Sequence, residues 1–246
     1  MKQATQLPFV IAHRGASGSA PENTLAAIQK AADLGSQWIE VDGTATADSQ
    51  AVLHHDDGIE RCSDGSGLVL AQSLSELQKR DFGRWFDERF SEERIPTLAA
   101  CGQLCDKLKL GCNMEIKVID GWEEPTAEIV CEAVRDSWPA DTPILFSSFS
   151  AQALIVAKRM LPDIPRAYLA TVIPRDWQRV LEETGSSAMH CGDTELLSKA
   201  AIQTLVSAGY PVRVYTVDNP DRAAELRSWG VESVFTNFPE RMDGIG

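Results

Sequence analysis

Residues 39 to 61, IEVDGTATADSQAVLHHDDGIER, open on two carboxylates one residue apart and close on two adjacent histidines. In a strand, Glu40 and Asp42 at i and i+2 point to one face, with Cα atoms roughly 6.5 Å apart. Glu115, in NMEIK, holds the matching place near the end of a later strand. Three converging carboxylates repel one another and raise their own pKa values unless a cation sits between them. Ligation by oxygen alone favours Mg²⁺ or Ca²⁺ over zinc. Each carboxylate taken singly reads as a solvated loop residue. Three at strand ends facing one mouth predict a divalent-cation site.

His13 closes the apolar run FVIAH and is followed by Arg14 and Gly15. A lone strand-end histidine is more often structural than catalytic. His55, however, can fold back over the same mouth, and imidazole titrates near neutral pH, so the two can form an acid–base pair. Strand alternation turns His54 away from His55, so only one of them is expected in the site. His190 lies within a strand and reads as packing. Arg14 and Lys117 are candidate phosphate clamps, although either alone is more often a surface ion pair.

These groups need rigid elements to hold them. Strand-like runs at 9–13, 38–42, 112–117, 144–149, 166–170, 187–191, 212–217 and 233–237 alternate with helical segments. Several of the helices are expected to end at Gly35, Gly111, Gly209 and Gly230. Alternation of this kind argues for parallel βαβ units, and eight strands argue for a closed (β/α)₈ TIM barrel with its active site at the C-terminal mouth. The run AVLHH (51–55) would make a ninth strand. It lies too close to WIEVD for a parallel crossover. It is therefore expected to be the return arm of a hairpin turning at Asp48-Ser49. Residues 56–95 become an excursion after strand two, and the inserted subdomain spans about 44–95. The whole chain, 1–246, reads as one barrel domain.

At 246 residues and 43% hydrophobic composition the chain can build such a core. A net charge of −13 makes nucleic acid and anionic membrane surfaces poor partners. An anionic small molecule would need a metal or a focused basic pocket. The six cysteines form no CxxC pair and accompany no apolar leader, which predicts reduced, buried thiols in a cytoplasmic protein. The sequence leaves oligomeric state open.

AHRGASGSAPENTLAAI, IEVD, LHHDDGIERCSDG, GRWFDERFSEERIPTL, NMEIK, LFSSF and VYTVDNPDRAAELRSWGVESVFTN, taken in this order, resemble the glycerophosphodiester phosphodiesterases, particularly the short cytosolic bacterial branch. The resemblance runs from residue 9 to about 239. It implies a (β/α)₈ barrel with a small insertion after strand two. It also implies hydrolysis of glycerophosphodiesters, such as glycerophosphocholine or glycerophosphoethanolamine, to glycerol 3-phosphate and an alcohol. By position, it places metal ligands at Glu40, Asp42 and Glu115, acid–base histidines at His13 and His55, and basic phosphate partners at Arg14 and Lys117. The chain departs from the family's pattern at Ala47-Asp48-Ser49, where Lys-Asp-Gly is usual, at Thr236-Asn237, where Thr-Asp is usual, and at Cys62, where Thr is common.

Rival readings are a barrel phospholipase of the sphingomyelinase D or phosphoinositide type, a catalytically silent binder of glycerophosphodiesters, and a Mg²⁺-dependent lyase or racemase. The lyase or racemase has little need for two histidines. The five chemical residues argue against the silent binder. A lipid-bilayer enzyme needs an apolar, cation-flanked surface, whereas Trp85, Phe86 and Phe90 are interleaved with charges. These aromatics are expected to pack the insertion onto the barrel rim.

Overall fold

A computed structural model describes residues 7–242, 244 and 245. Its strands are β1 (Val10–His13), β2 (Trp38–Ala45), β3 (Ala51–Leu53), β4 (Gly111–Ile116), β5 (Ile144–Ser148), β6 (Arg166–Ala170), β7 (Ala188–Gly192), β8 (Val212–Tyr215) and β9 (Ser233–Thr236). All except β3 pair in parallel, and β1 bonds to both β2 and β9, which closes an eight-stranded barrel. β3 runs antiparallel to β2 with Gly43 opposite Leu53. It is the expected hairpin arm, and Ser49 takes a left-handed φ of 58° at its turn.

Helices α1 (Leu25–Asp33), α3 (Leu98–Leu108), α4 (Glu123–Ser137), α5 (Ala151–Met160), α6 (Trp177–Thr184), α7 (Lys199–Ser207) and α8 (Pro220–Trp229) lie between the barrel strands, and the short α2 (Leu74–Leu77) belongs to the insertion. After β9 the eighth helical position holds only a 3₁₀ turn, Pro239–Met242. Local sequence sets the helix starts. The side chains of Thr24, Thr97, Ser150 and Ser198 each accept a hydrogen bond from a backbone N–H of the first turn.

One expected helix end is corrected. Lys109, at φ 58°, terminates α3 in the left-handed conformation. Gly111 instead opens β4, where a Cβ would lie 2.2 Å from the Trp38 ring. The requirement there is close approach, not helix termination.

Alternation along the strands divides the barrel interior into a floor and a mouth. Ile11, Trp38, Leu145 and Phe235 form one apolar cluster. Two residues further along their strands stand His13, Glu40 and Ser147, and Asp42 follows Glu40 at the same spacing. The alternate residues, among them Ile39, Val41, Met114 and Phe146, pack outward with Ile28 and Leu98 of the helices. The insertion has its own small core of Val52, Ile59, Val69, Leu77, Phe82 and Ile95. Trp85, Phe86 and Phe90 lie outside this core and stack edge to face on one another, with Trp85 exposed. All six cysteines are free and buried. Among the described residues no helix is long and apolar enough to cross a membrane.

Candidate active site

Register brings the carboxylates together. Asp42 of β2 pairs with Glu115 of β4, and Glu40 pairs with His13 of β1. Ligand oxygens of Glu40, Asp42 and Glu115 all lie within 4.8 Å of one another. Burial, followed by the charges of Asp42 and Glu115, pushes Glu40 well above its usual pKa. Burial and Asp42 push Glu115 up to about 7. Asp42 moves the other way, because Arg14, His55 and Lys117 outweigh its burial. Asn23 fixes Asp42 twice, donating from Nδ2 to Oδ2 at 2.7 Å and accepting its backbone N–H at 3.0 Å. Glu40 Oε1 is buried without a hydrogen-bond partner. A buried carboxylate oxygen left unsatisfied beside two further carboxylates is what a hard cation would complete, so the residues present fit a divalent ion.

His13 sits at the end of β1, with Nε2 3.8 Å from Glu40 Oε2. Its Nδ1 lies 2.8 Å from Asn237 Oδ1. The orientation of that amide is set by Asp218, which accepts from Asn237 Nδ2 and from its backbone N–H, both at 2.8 Å. An amide oxygen only accepts, so Nδ1 carries the proton and Nε2 presents a lone pair. Burial, then the Arg14 charge, lowers the His13 pKa to about 4. The ring is neutral at pH 7.

β3 ends at Leu53, short of the expected 51–55, and the two histidines that follow it have different surroundings. His54 is buried, donates from Nε2 to the Gly58 carbonyl at 3.0 Å, and packs edge-on against Phe82 of the insertion core. His55 stays partly exposed and places Nδ1 2.6 Å from Asp56 Oδ1. His190 is fully buried, with Nε2 3.0 Å from Arg213 Nη1, as its packing role predicted.

Arg14 and Lys117 join the carboxylates. Arg14 donates from its backbone N–H to Glu40 Oε2 at 2.9 Å, and its Nε lies 3.3 Å from Asp42 Oδ2. Lys117 Nζ is 2.9 Å from Glu115 Oε1 and 5.8 Å from the centre of the Phe149 ring. A groove of about 400 Å³ opens beside His13 and Arg14, between the segments that follow β1 and β9.

Arg14 itself has a left-handed φ of 55°, and Gly15 follows at 76°. A Cβ on Gly15 would lie 2.6 Å from the Ala27 carbonyl carbon. Gly15→Ala is therefore expected to destabilise the fold by roughly 2–4 kcal/mol, from left-handed strain plus overpacking. Urea unfolding would measure this, and an unchanged midpoint would contradict it.

Five supporting residues were not predicted: Glu22, Asn23, Asp56, Arg61 and Asn237. All lie inside the motif blocks, but their partners are distant in sequence or on another loop. Asn237 had registered only as a departure from the family's pattern, and the structure places it on His13.

The model of the glycerophosphoryl diester phosphodiesterase family matches residues 13–241. A glycerophosphodiester phosphodiesterase from Caldanaerobacter subterraneus subsp. tengcongensis is 30% identical over 239 residues, covering 95% of this chain and 96% of the relative. Another from Bacillus subtilis (strain 168) is 29% identical over 249 residues, covering 94% and 84%. Among solved structures, an Oleispira antarctica phosphodiesterase in complex with the product sn-glycerol-3-phosphate superimposes with a TM-score of 0.94 at 36% identity, covering 97% of this chain and 96% of that one. With this match across its length, the chain belongs to the glycerophosphoryl diester phosphodiesterase family and is a phosphoric diester hydrolase.

Proposed function

We propose that this enzyme hydrolyses water-soluble glycerophosphodiesters, such as glycerophosphocholine and glycerophosphoethanolamine, to glycerol 3-phosphate and an alcohol. His13 is the general base and His55 the general acid. The observation that carries this reading is the contrast between their Nδ1 partners. His13 Nδ1 donates to a neutral amide, which leaves Nε2 free to take a proton. His55 Nδ1 faces a carboxylate, which accepts from it and orients the ring for donation from Nε2.

A phosphodiester anion resists attack because it repels nucleophiles and its alkoxide leaves poorly. Glu40, Asp42 and Glu115 would hold a Mg²⁺ or Ca²⁺ ion, which supplies positive charge to a nonbridging phosphate oxygen when bound. Arg14 and Lys117 add fixed positive charge on the same side. His13 Nε2 takes the proton of the attacking hydroxyl, from water or from the glycerol 2-hydroxyl. As the bond from phosphorus to the departing oxygen breaks, His55 gives that oxygen a proton. The 2-hydroxyl route passes through a cyclic phosphate, which water then opens with the two histidines exchanging roles.

The substrate class rests on surface character. The chain carries a net charge of −13, and the insertion's aromatics are set among Asp81, Asp87, Glu88, Glu92 and Glu93. Arg84, Arg89 and Arg94 alternate with these acids, so no long apolar stripe or polybasic cluster for a bilayer forms there. Glycerophosphocholine, lysophosphatidylcholine and sphingomyelin at equal concentration, assayed for choline and phosphomonoester release, test the assignment. Glycerophosphocholine is expected to turn over fastest, with little action on either lipid. Faster release from either lipid would favour the phospholipase reading instead.

A further inference from the structure

Arg61 stands in the insertion, six residues beyond His55, and grips two carboxylates, one of which contacts His55 and the other Arg14. Its Nε donates to Asp56 Oδ2 at 2.6 Å and its Nη2 to Asp56 Oδ1 at 3.0 Å. On the other side, Nη1 and Nη2 reach Glu22 Oε2 and Oε1 at 2.7 and 2.8 Å. Glu22 Oε1 also accepts from Arg14 Nη1 at 2.7 Å. One guanidinium thus forks onto two carboxylates. One of these orients His55 through the 2.6 Å contact to Nδ1, and the other anchors Arg14.

We propose that Arg61 is a positioning residue for proton donation to the leaving alcohol, locking Asp56 so that it holds the His55 ring in one orientation. The proposal deepens the assignment of His55 as general acid and rests on it. Asp56 follows His55 directly in a loop beyond β3 and is itself partly exposed, so its side chain has no core to fix its torsions. A bidentate guanidinium fixes both carboxylate oxygens in one plane, which an ammonium cannot do. Arg61 is also partly exposed, so the pair adds little to global stability. Its worth lies in geometry: misplacing a catalytic group by about 1 Å can cost on the order of 10²-fold in rate. The insertion therefore serves the reaction directly. It brings a cation from a separate small core to the point where the segments after β1 and β3 meet.

The test compares two glycerol phosphate esters differing only in the leaving group: choline, whose oxygen needs a proton to depart, and p-nitrophenol, whose anion departs unaided. Arg61→Ala is expected to lower the single-turnover rate of choline release about 10- to 100-fold and that of p-nitrophenol release less than about threefold. The thermal midpoint should not move. Asp56→Asn should reproduce this pattern, and Arg61→Lys should recover only part of the rate. Adding Arg61→Ala to His55→Ala should cost nothing further, because the positioned group is gone. Equal losses on both esters, a loss that persists in the His55→Ala background, or no loss at all would overturn the role of Arg61. Full activity of His55→Ala would instead remove the acid assignment itself, so the two failures are distinguishable.

Discussion

Removal of divalent cations with a chelator is expected to abolish glycerol 3-phosphate release, and Mg²⁺ or Ca²⁺ should restore it. The cause is the carboxylate trio, whose oxygens crowd within 4.8 Å with one left unsatisfied. The same crowding predicts a signature that needs no substrate. Glu115, normally near 4.5, is pushed up to about 7 in the fold. The unfolded chain therefore releases this proton at lower pH than the folded one. Between pH 4.5 and 7 the unfolded state binds fewer protons at this carboxyl, so the Glu115 contribution to the stability of the metal-free protein falls as pH rises through that window. His13, lowered to about 4 by burial, contributes in the opposite sense below pH 6.5. Bound cation removes the repulsion, and its stabilising effect should grow with pH over the same range. Glu115→Gln should keep the fold, flatten this pH dependence and lose most of the cation-induced rise in melting temperature. Thermal denaturation at pH 5 and pH 7.5, with and without Mg²⁺ or Ca²⁺, reads all three effects. A fully active chelated enzyme, or an undiminished cation response in Glu115→Gln, would remove the metal from the mechanism.

The second large effect separates residues that touch in sequence. His13→Ala and His55→Ala are each expected to lower kcat on the order of 10²-fold or more, the usual worth of a positioned acid or base. His54→Ala should leave kcat nearly unchanged. It removes a ring buried against Phe82, so its effect belongs in stability instead. Steady-state kinetics on glycerophosphocholine, paired with unfolding curves for each variant, distinguishes the two. Equal kinetic losses at positions 54 and 55 would refute the division of labour between the faces of the hairpin arm.

Much of this was legible in the sequence because it follows from short-range rules. Alternating strands and helices announced the barrel. The short gap between WIEVD and AVLHH ruled out a parallel crossover and required the hairpin. Two-residue periodicity put Glu40 and Asp42 on one face, where their oxygens meet those of Glu115. What the sequence hid are contacts whose partners have no local signature. Asn237 meets His13 across 224 residues, and Arg61 meets Glu22 across 39. Either residue alone reads as an ordinary polar side chain. For a related reason Gly111 does not end a helix, and Lys109 takes that place. Glycine after a helix usually signals its end, whereas here it makes room for Trp38 from a neighbouring strand.

Closure of the barrel has a consequence for synthesis. His13, the proposed base, is made early, yet the amide that meets its Nδ1 follows the last strand. β1 itself is flanked by β2 and by that same last strand. A chain still leaving the ribosome carries Glu40, Asp42 and Glu115 long before residue 237 emerges to meet His13 Nδ1. Competence for the reaction is therefore expected only once β9 and residue 237 are made, after all three proposed metal ligands. Chains ending before β9 should show no turnover, and chains that include residue 237 should.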